Sequence, residues 1–320
     1  MSKLKYALYT GCTARESTPE LLSSTMAVAK KLGIELVLLD EASCCGASHL
    51  QDFDEFLSLV LNARNICYAE KLGLPMVTIC NTCQLNTVMT KERLDSDPEL
   101  KAKVNEKLKE VGLEYKGTVS VRHFLYALID DYGLDKIREK VVKPLSHFNI
   151  APFYGCHNIR PSHLHHKHNK PLPVELGVEG GGYESFETEE FMEKYTHENP
   201  YKPTSLDRLI EALEGNSVDY ESKNKCCGFH VDLQAPKTSN ALSGTALVDA
   251  IDNGADVMVT PCPLCQLNLD LKQDSAGKQL GREIELPVLH LPQLMALALG
   301  CSLEEIGLKR NVTKATHLYA

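Results

Sequence analysis

The chain has 320 residues, 43% hydrophobic and 24% charged, which is typical of a soluble globular protein with room for two domains. Its formal net charge of -9 disfavours a nucleic-acid partner, which would favour a basic surface. The sequence contains no run of 18 apolar residues and no apolar signal segment near its start, so we expect neither a membrane span nor secretion. Twelve cysteines in such a chain indicate a reducing, cytoplasmic compartment, where thiols serve metals or redox chemistry.

Strand and helix patterns alternate along the first part of the chain. Short apolar runs predict strands at 4–10, 34–39, 75–79 and 119–121. Apolar residues at helical spacing predict helices at 19–32, 52–72 and 84–110, the last with some interruption, followed by an apolar run at 124–129. The first three predicted strands each lead into cysteines, so the alternation favours a mainly parallel sheet with its cysteines at the strand carboxyl ends.

The second part of the chain repeats this plan. It predicts strands at 149–154, 217–220, 256–260 and 287–291, with helices at 205–214, 239–253 and 293–299. The predicted fold is therefore α/β, with two pseudo-repeated domains at residues 1–147 and 148–320.

Ten of the twelve cysteines form two sets with matching order and spacing. The first cysteine set is Cys12, Cys44, Cys45, Cys80 and Cys83. The second cysteine set is Cys156, Cys226, Cys227, Cys262 and Cys265. In both sets 34 residues separate the adjacent pair from the C-x-x-C, which continues into Gln-Leu-Asn. This repetition predicts a duplicated unit whose cysteine sulfurs bind a ligand.

The two units differ mainly in one segment. Between the lone cysteine and the pair lie 31 residues in the first unit and 69 in the second, and residues 160–203 hold most of the difference. This segment contains His163, His165, His166 and His168, which are candidates for a surface metal site. Its glycines, at 177 and 180–182, follow no predicted strand and open no predicted helix, so we interpret the segment as a long loop.

Several kinds of site are compatible with cysteines alone. Structural zinc takes four ligands in a tetrahedron, whereas each set offers five thiols, two of them adjacent in sequence. A thioredoxin-like redox pair at Cys80/Cys83 or Cys262/Cys265 would leave the other cysteines without a role. Five thiolates fit a larger, multi-iron group better.

The pattern of a lone cysteine, Cys-Cys-Gly and C-x-x-C resembles the CCG domain family. A chain made of two such domains, with Tyr154-Gly155-Cys156-His157 and Cys262-Pro263-Leu264-Cys265, is similar to the B-type chain of heterodisulfide reductase. The resemblance implies two noncubane [4Fe-4S] clusters, one bound by each cysteine set, with one cysteine of each set bridging irons. It also implies a disulfide that is split between the clusters, and electrons that arrive from a ferredoxin-like (C-type) subunit and a flavin (A-type) subunit.

Histidines close to the cysteines are the remaining candidates. His49 and His230 follow the two Cys-Cys-Gly motifs, and as catalytic residues they would donate hydrogen bonds to cluster sulfur or to substrate. His157, beside Cys156, is a candidate for the same role. The alternative for all three is that they are ordinary loop histidines without a part in the chemistry. We expect structural hydrogen bonds for His123 and His290, which share one place in the repeat.

The remaining two cysteines have simpler expected roles. Cys67 lies in a predicted helix and is expected to pack in the core, and Cys301 follows Gly300 at a helix end.

These observations predict the catalytic iron–sulfur subunit of a heterodisulfide reductase-like complex. Its substrate would be a disulfide, a thiol or a sulfur atom carried on an arm such as lipoate. An iron–sulfur electron-transfer subunit of a quinone- or fumarate-linked dehydrogenase is the alternative among enzymes. A zinc-stabilised scaffold is the alternative from another class.

Overall fold

The computed structural model describes residues 3–159, 198 and 202–318. These residues contain two four-stranded parallel sheets, one in each half of the sequence. The strands of the first sheet are β1 (Lys5–Tyr9), β2 (Glu35–Leu38), β3 (Met76–Thr78) and β4 (Val121–His123). Those of the second are β5 (Asn149–Pro152), β6 (Asn216–Ser217), β7 (Val257–Thr260) and β8 (Val288–His290). The orders β2-β1-β3-β4 and β6-β5-β7-β8 are equivalent, which confirms the predicted pseudo-repeated α/β fold.

Helices connect the strands and cover both sheets. Those of the first half are α1 (Pro19–Leu32), α2 (His49–Phe53), α3 (Glu55–Leu72), α4 (Asn81–Ser96), α5 (Pro98–Lys109), α6 (Phe124–Tyr126) and α7 (Leu134–Arg138), with a π-helix at Ala127–Tyr132. Those described in the second half are α8 (Cys156–Ile159), α9 (Ser205–Ala212), α10 (Pro236–Asp252), α11 (Pro263–Leu271), α12 (Gln273–Leu280), α13 (Leu291–Ala298) and α14 (Leu303–Ile306).

Two predicted helices are interrupted where a side chain caps a new start. The helix predicted at 52–72 consists of α2 and α3, because the Asp54 carboxylate accepts a hydrogen bond from the Leu57 backbone N–H and begins α3. The helix predicted at 84–110 divides at Asp97, which caps α5 just before Pro98. The pattern at 52–72 did not predict the helix start at Asp54, whereas the break at Asp97 agrees with the interruption predicted within 84–110.

The strand predicted at 217–220 is shorter than expected. β6 pairs with β5 only through Asn216 and Ser217, and the chain then turns into a 3-10 segment at Glu221–Asn224. Tyr220 points its hydroxyl at the Pro152 carbonyl instead of extending the sheet. The sequence patterns also missed α11, which begins inside the second C-x-x-C at Pro263, and α12, which comes after it.

The hydrophobic core passes between the two halves. One buried cluster contains both Leu8 of β1 and Val259 of β7, and a second contains both Tyr9 and Phe153. Helix α1 packs on α13, and α4 packs on α8, so each half covers elements of the other. The division at residues 147 and 148 stays a prediction.

Candidate metal centre

All ten cysteines of the two sets follow strand carboxyl ends. In the first half they come after β1, β2 and β3, and in the second after β5, β6 and β7. Cys80 and Cys262 each occupy the N-cap position of the helix that follows, α4 and α11. Because parallel strands end at the same edge of a sheet, the three loops of each half meet there.

In the first cysteine set the thiols lie in pairs around the Cys44-Cys45-Gly46 turn. Cys12 Sγ is 3.6 Å from Cys44 Sγ, and Cys45 Sγ is 3.6 Å from Cys83 Sγ. The Gly46 backbone N–H donates to Cys44 Sγ over 3.4 Å. Hydrogen bonds from Cys12 and Cys45 are the main causes that lower the pKa of Cys44 to about 2. This set therefore carries a thiolate at neutral pH, the form that binds metal.

The second cysteine set repeats that arrangement around Cys226-Cys227-Gly228. Cys156 hydrogen-bonds with Cys226, and Cys227 with Cys265. The Gly228 backbone N–H donates to Cys226 Sγ over 3.3 Å. The bond from Cys156, followed by that from Cys227, lowers the pKa of Cys226 to about 2. The pKa of the equivalent cysteine is thus lowered in both halves.

The two sets meet at the first cysteines of their C-x-x-C motifs. Cys80 and Cys262 are both buried, and across the two halves they lie close enough for the pKa of Cys80 to be raised and that of Cys262 to be lowered by the other thiol. Asn81 also joins the two halves, since its side chain donates to the Tyr154 carbonyl over 2.7 Å. The two cysteine sets therefore adjoin at Cys80 and Cys262.

Glycines provide the space that the thiols need. Gly11 has φ +69° and Gly155 has φ +72°, in the left-handed region that side chains rarely adopt. A Cβ at Gly11 would lie 2.9 Å from Cys83 Sγ, and one at Gly155 would lie 2.9 Å from Cys265 Sγ. Only glycine at these two positions allows the lone cysteine and the C-x-x-C of each half to approach.

The donor chemistry of this group fits iron–sulfur clusters. It offers soft thiolate ligands, held by loops at sheet edges, and Cys-rich sites of this kind hold such clusters. Among the described residues, no three His, Cys, Asp or Glu side chains are placed to share one metal ion. The thiols instead stand in pairs distributed over each set.

Three histidines from separate segments gather beside the junction. The His157 and His230 rings stack with centroids 4.7 Å apart, and His49 lies 5.9 Å from His230. Thr82 hydrogen-bonds with His157 Nδ1 and Ser48 with His230 Nδ1, both over 2.9 Å. Residues of the first half therefore hold both histidines of the second half.

Burial favours the neutral form of His157 and His230. Burial, partly opposed by the charge of Cys262, lowers the pKa of His157 and lowers that of His230 to about 4. A neutral imidazole still carries one N–H, so each ring keeps a hydrogen-bond donor beside the thiols.

Comparison with known proteins identifies the family. The cysteine-rich CCG domain family matches residues 6–87 and 192–270, about half of the chain. The chain belongs to the CCG cysteine-rich domain family. The second CCG match contains Cys226, Cys227, Cys262 and Cys265 but begins after Cys156.

Full-length relatives extend this likeness over nearly the whole chain. The 8-methylmenaquinol:fumarate reductase membrane anchor subunit of Wolinella succinogenes is 35% identical over 314 residues, which are 98% of this chain and 99% of that protein. The B-type chain of the ferredoxin/F(420)H(2)-dependent CoB-CoM heterodisulfide reductase of Methanosarcina acetivorans is 34% identical and covers 96% and 93%. Together with the CCG matches, these relatives support an iron–sulfur redox subunit. None of the described helices has the length and apolar content that a membrane crossing requires.

A solved structure shares the fold of these CCG domains. A hypothetical protein from Helicobacter pylori aligns with a TM-score of 0.73 at 17% identity. The alignment covers 99% of this chain but only 53% of that one, so the chain spans about half of its length.

The structure places the other candidate residues outside the thiol group. His123 donates from Nε2 to the Pro261 carbonyl over 3.1 Å and accepts from the Leu125 backbone N–H, as expected for a structural role. His290 occupies the N-cap position of α13, where its backbone N–H donates to Gln293 Oε1, and Cys67 is buried in the core. Cys301 is also buried. The histidines at 163–168 lie outside the described residues.

Sequence reasoning missed the residues that join the two CCG domains. Asn81 and Thr82 are the middle residues of the first C-x-x-C, where the second has Pro263 and Leu264. This difference between two otherwise matching motifs could have indicated the contact. Asn81 and Thr82 have side chains that can form hydrogen bonds across the halves, whereas the side chains of Pro263 and Leu264 cannot. Ser48 gave no comparable signal.

Proposed function

We propose that this chain is the catalytic iron–sulfur subunit of a heterodisulfide reductase-like complex. Its reaction would be thiol–disulfide redox chemistry, or the equivalent on carrier-bound sulfur, at two noncubane [4Fe-4S] clusters. The observation that carries the proposal is the meeting of two equivalent five-thiol sets at Cys80 and Cys262.

Each cysteine set would hold one cluster. Cys12, Cys44, Cys45, Cys80 and Cys83 are the proposed ligands of the first, and Cys156, Cys226, Cys227, Cys262 and Cys265 those of the second. When bound, such clusters supply one-electron transfer. Two adjacent sites suit a disulfide, whose reduction takes two electrons. The chain contributes the thiolates and the backbone N–H groups that stabilise their charge.

His49, His157 and His230 are the proposed polar contacts for substrate or cluster sulfur. They lie together beside the junction, and two of them are held at Nδ1 by hydroxyl groups. A fixed imidazole presents its other ring nitrogen in a set direction, which is how an orienting hydrogen bond specifies a ligand.

Partners follow from the names of the relatives. The heterodisulfide reductase relative is by name one chain of a larger complex, so we propose ferredoxin-like (C-type) and flavin (A-type) partner subunits in the cytoplasm. The sulfur substrate would be a disulfide, a thiol or a lipoate-type carrier.

A second candidate is an iron–sulfur subunit of a quinol- or fumarate-linked reductase. The observation that favours it is the 35% identity over nearly the full length to the Wolinella succinogenes subunit of that name. Anaerobic assays of the native complex with a menaquinol analogue and with a dithiol would separate the two. Electron uptake from the quinol alone would favour this second candidate.

Metal analysis of anaerobically purified protein tests the proposed function. Two clusters of four irons predict about eight irons and about eight acid-labile sulfides per chain. Addition of a thiol under oxidising conditions is expected to produce a paramagnetic signal. Zinc without sulfide would overturn the proposal in favour of a zinc-stabilised scaffold, and about four irons would overturn the two-cluster arrangement.

A further inference from the structure

A cleft of about 690 Å³ opens in the second half and reaches Cys226. It lies between the 3-10 segment Glu221–Asn224, helix α10 and the end of α12. Its volume falls in the range of sites that bind small molecules. Cys226, one of the residues that line it, is a member of the second cysteine set. The cleft therefore leads from the surface to a proposed cluster ligand.

The wall formed by α10 and α12 is largely apolar. Leu242, Ala246 and Val248 line it from α10, and Leu280 lines it from α12. Leu280 is 41% exposed although it belongs to a packed helix pair. Leu242 and Val248 are also partly exposed, whereas Ala246 is buried. Partly exposed aliphatic side chains beside a polar rim are typical of a site that buries an apolar ligand.

The charges of the cleft are already paired within the protein. Arg282 forms an ion pair with Asp252, and Lys225 forms one with Glu221. The remaining carboxylate, Asp249, accepts a hydrogen bond from the Ser222 backbone N–H. Since no uncompensated positive charge faces the cleft from these residues, a strongly anionic ligand is disfavoured.

The first half differs at the corresponding place. Ser43 precedes Cys44 as Lys225 precedes Cys226, and Arg64 of α3 donates a hydrogen bond to the Ser43 hydroxyl. The residue before the pair is therefore held by an arginine in the first half, whereas Lys225 forms an ion pair with Glu221 in the second.

We propose that this cleft binds the neutral, linear, apolar arm of the sulfur substrate, with its sulfur end towards Cys226. The inference rests on the proposed function for the identity of the ligand as a sulfur compound. It adds the class of substrate: an alkyl thiol or disulfide arm in preference to a multiply charged one.

A chain-length series tests the cleft directly. Linear alkanethiols from butanethiol to octanethiol are titrated into the anaerobic, iron-containing protein, with 3-mercaptopropionate as the charged comparison. Burial of each further methylene is expected to tighten binding about fourfold until the cleft is full. N-methylalkanamides of the same lengths, which contain no sulfur, are measured in parallel by calorimetry and are expected to give the same increment.

Two variants locate the binding. Leu242→Asn replaces part of the apolar wall and is expected to remove most of the chain-length dependence. Thr245→Trp, at an exposed position lining the cleft, fills it and is expected to weaken binding at least about tenfold. Leu72→Asn, the same substitution at an exposed end of α3, is the matched control and should keep the wild-type dependence.

The possible results distinguish a failure of the cleft proposal from a failure of the proposed function. Affinities that do not change with chain length, or a full dependence in both cleft variants, would overturn the cleft proposal. A thiol-induced paramagnetic signal in that same protein would leave the sulfur function standing. Normal increments for the amides without any effect of thiols would support the cleft and overturn the sulfur function.

Discussion

The two cysteine sets share a scaffold but differ in their surroundings. Cys12 and Cys44 are exposed, whereas their counterparts Cys156 and Cys226 are partly buried. Tyr9 precedes the first set with a hydroxyl that donates to the Ser43 carbonyl, and Phe153 takes its place in the second. The thiol positions are therefore common to the two repeats, whereas the solvent exposure of the cysteines and the polar contacts around them differ between the halves.

Removing one cysteine of the adjacent pair in either set is expected to have the largest effect, a loss of bound iron from that set alone. Cys45→Ala and Cys227→Ala should each remove about half of the bound iron, because each set is proposed to hold its own cluster. Iron and sulfide analysis of both variants measures this. Cys67→Ala, which alters a buried cysteine outside the sets, is the control and should keep all of its iron. Wild-type iron in both set variants would contradict the ligand assignment.

Glycine substitutions test the close approach within each set. Gly11→Ala and Gly155→Ala place a Cβ 2.9 Å from a cysteine sulfur, so we expect a loss of about 2–4 kcal/mol in unfolding free energy together with lost iron. Gly33→Ala has the same sign of φ, with nothing within 4 Å of the new Cβ. It should cost only about 1 kcal/mol, with full iron content. Denaturation and metal analysis measure both, and equal losses in all three would refute the steric argument.

The contacts between the halves predict a smaller effect. Thr82→Val and Ser48→Ala remove the hydroxyls that hold His157 and His230, and each should cost about 1 kcal/mol of stability. The thiol-induced paramagnetic signal should change shape in both variants while iron content stays constant. Ser96→Ala, on the exposed end of α4, is the control. An unchanged signal in both hydroxyl variants would argue against a role for the histidines at the site.

Exchanging Tyr9 and Phe153 gives the smallest expected effect. Tyr9→Phe removes hydrogen bonds with Ser43 and Asn65 and should cost about 1 kcal/mol. It should alter the spectrum of the first cluster only. Phe153→Tyr places a hydroxyl in an apolar environment and should affect only the second. Spectral changes that appear in both clusters for either variant would mean that the sets are not separable.

The sequence was sufficient for the repeated parts of the molecule. The equal spacing around Cys45–Cys80 and Cys227–Cys262 predicted two equivalent sheets, since each cysteine follows a strand whose apolar run is recognisable locally. The contact between Cys80 and Cys262 was not predictable in this way, because it depends on how the halves pack. Periodicity also overlooked Asp54, whose capping hydrogen bond decides where α3 begins.

The bonds that cross between the halves have a consequence for biosynthesis. Asn81 needs the Tyr154 carbonyl, and His123 needs that of Pro261, which lies far downstream. A nascent chain that has released only its first half from the ribosome lacks both acceptors. The first site therefore reaches its final form only after the second C-x-x-C has emerged, so cofactor loading is expected to follow completion of nearly the whole polypeptide.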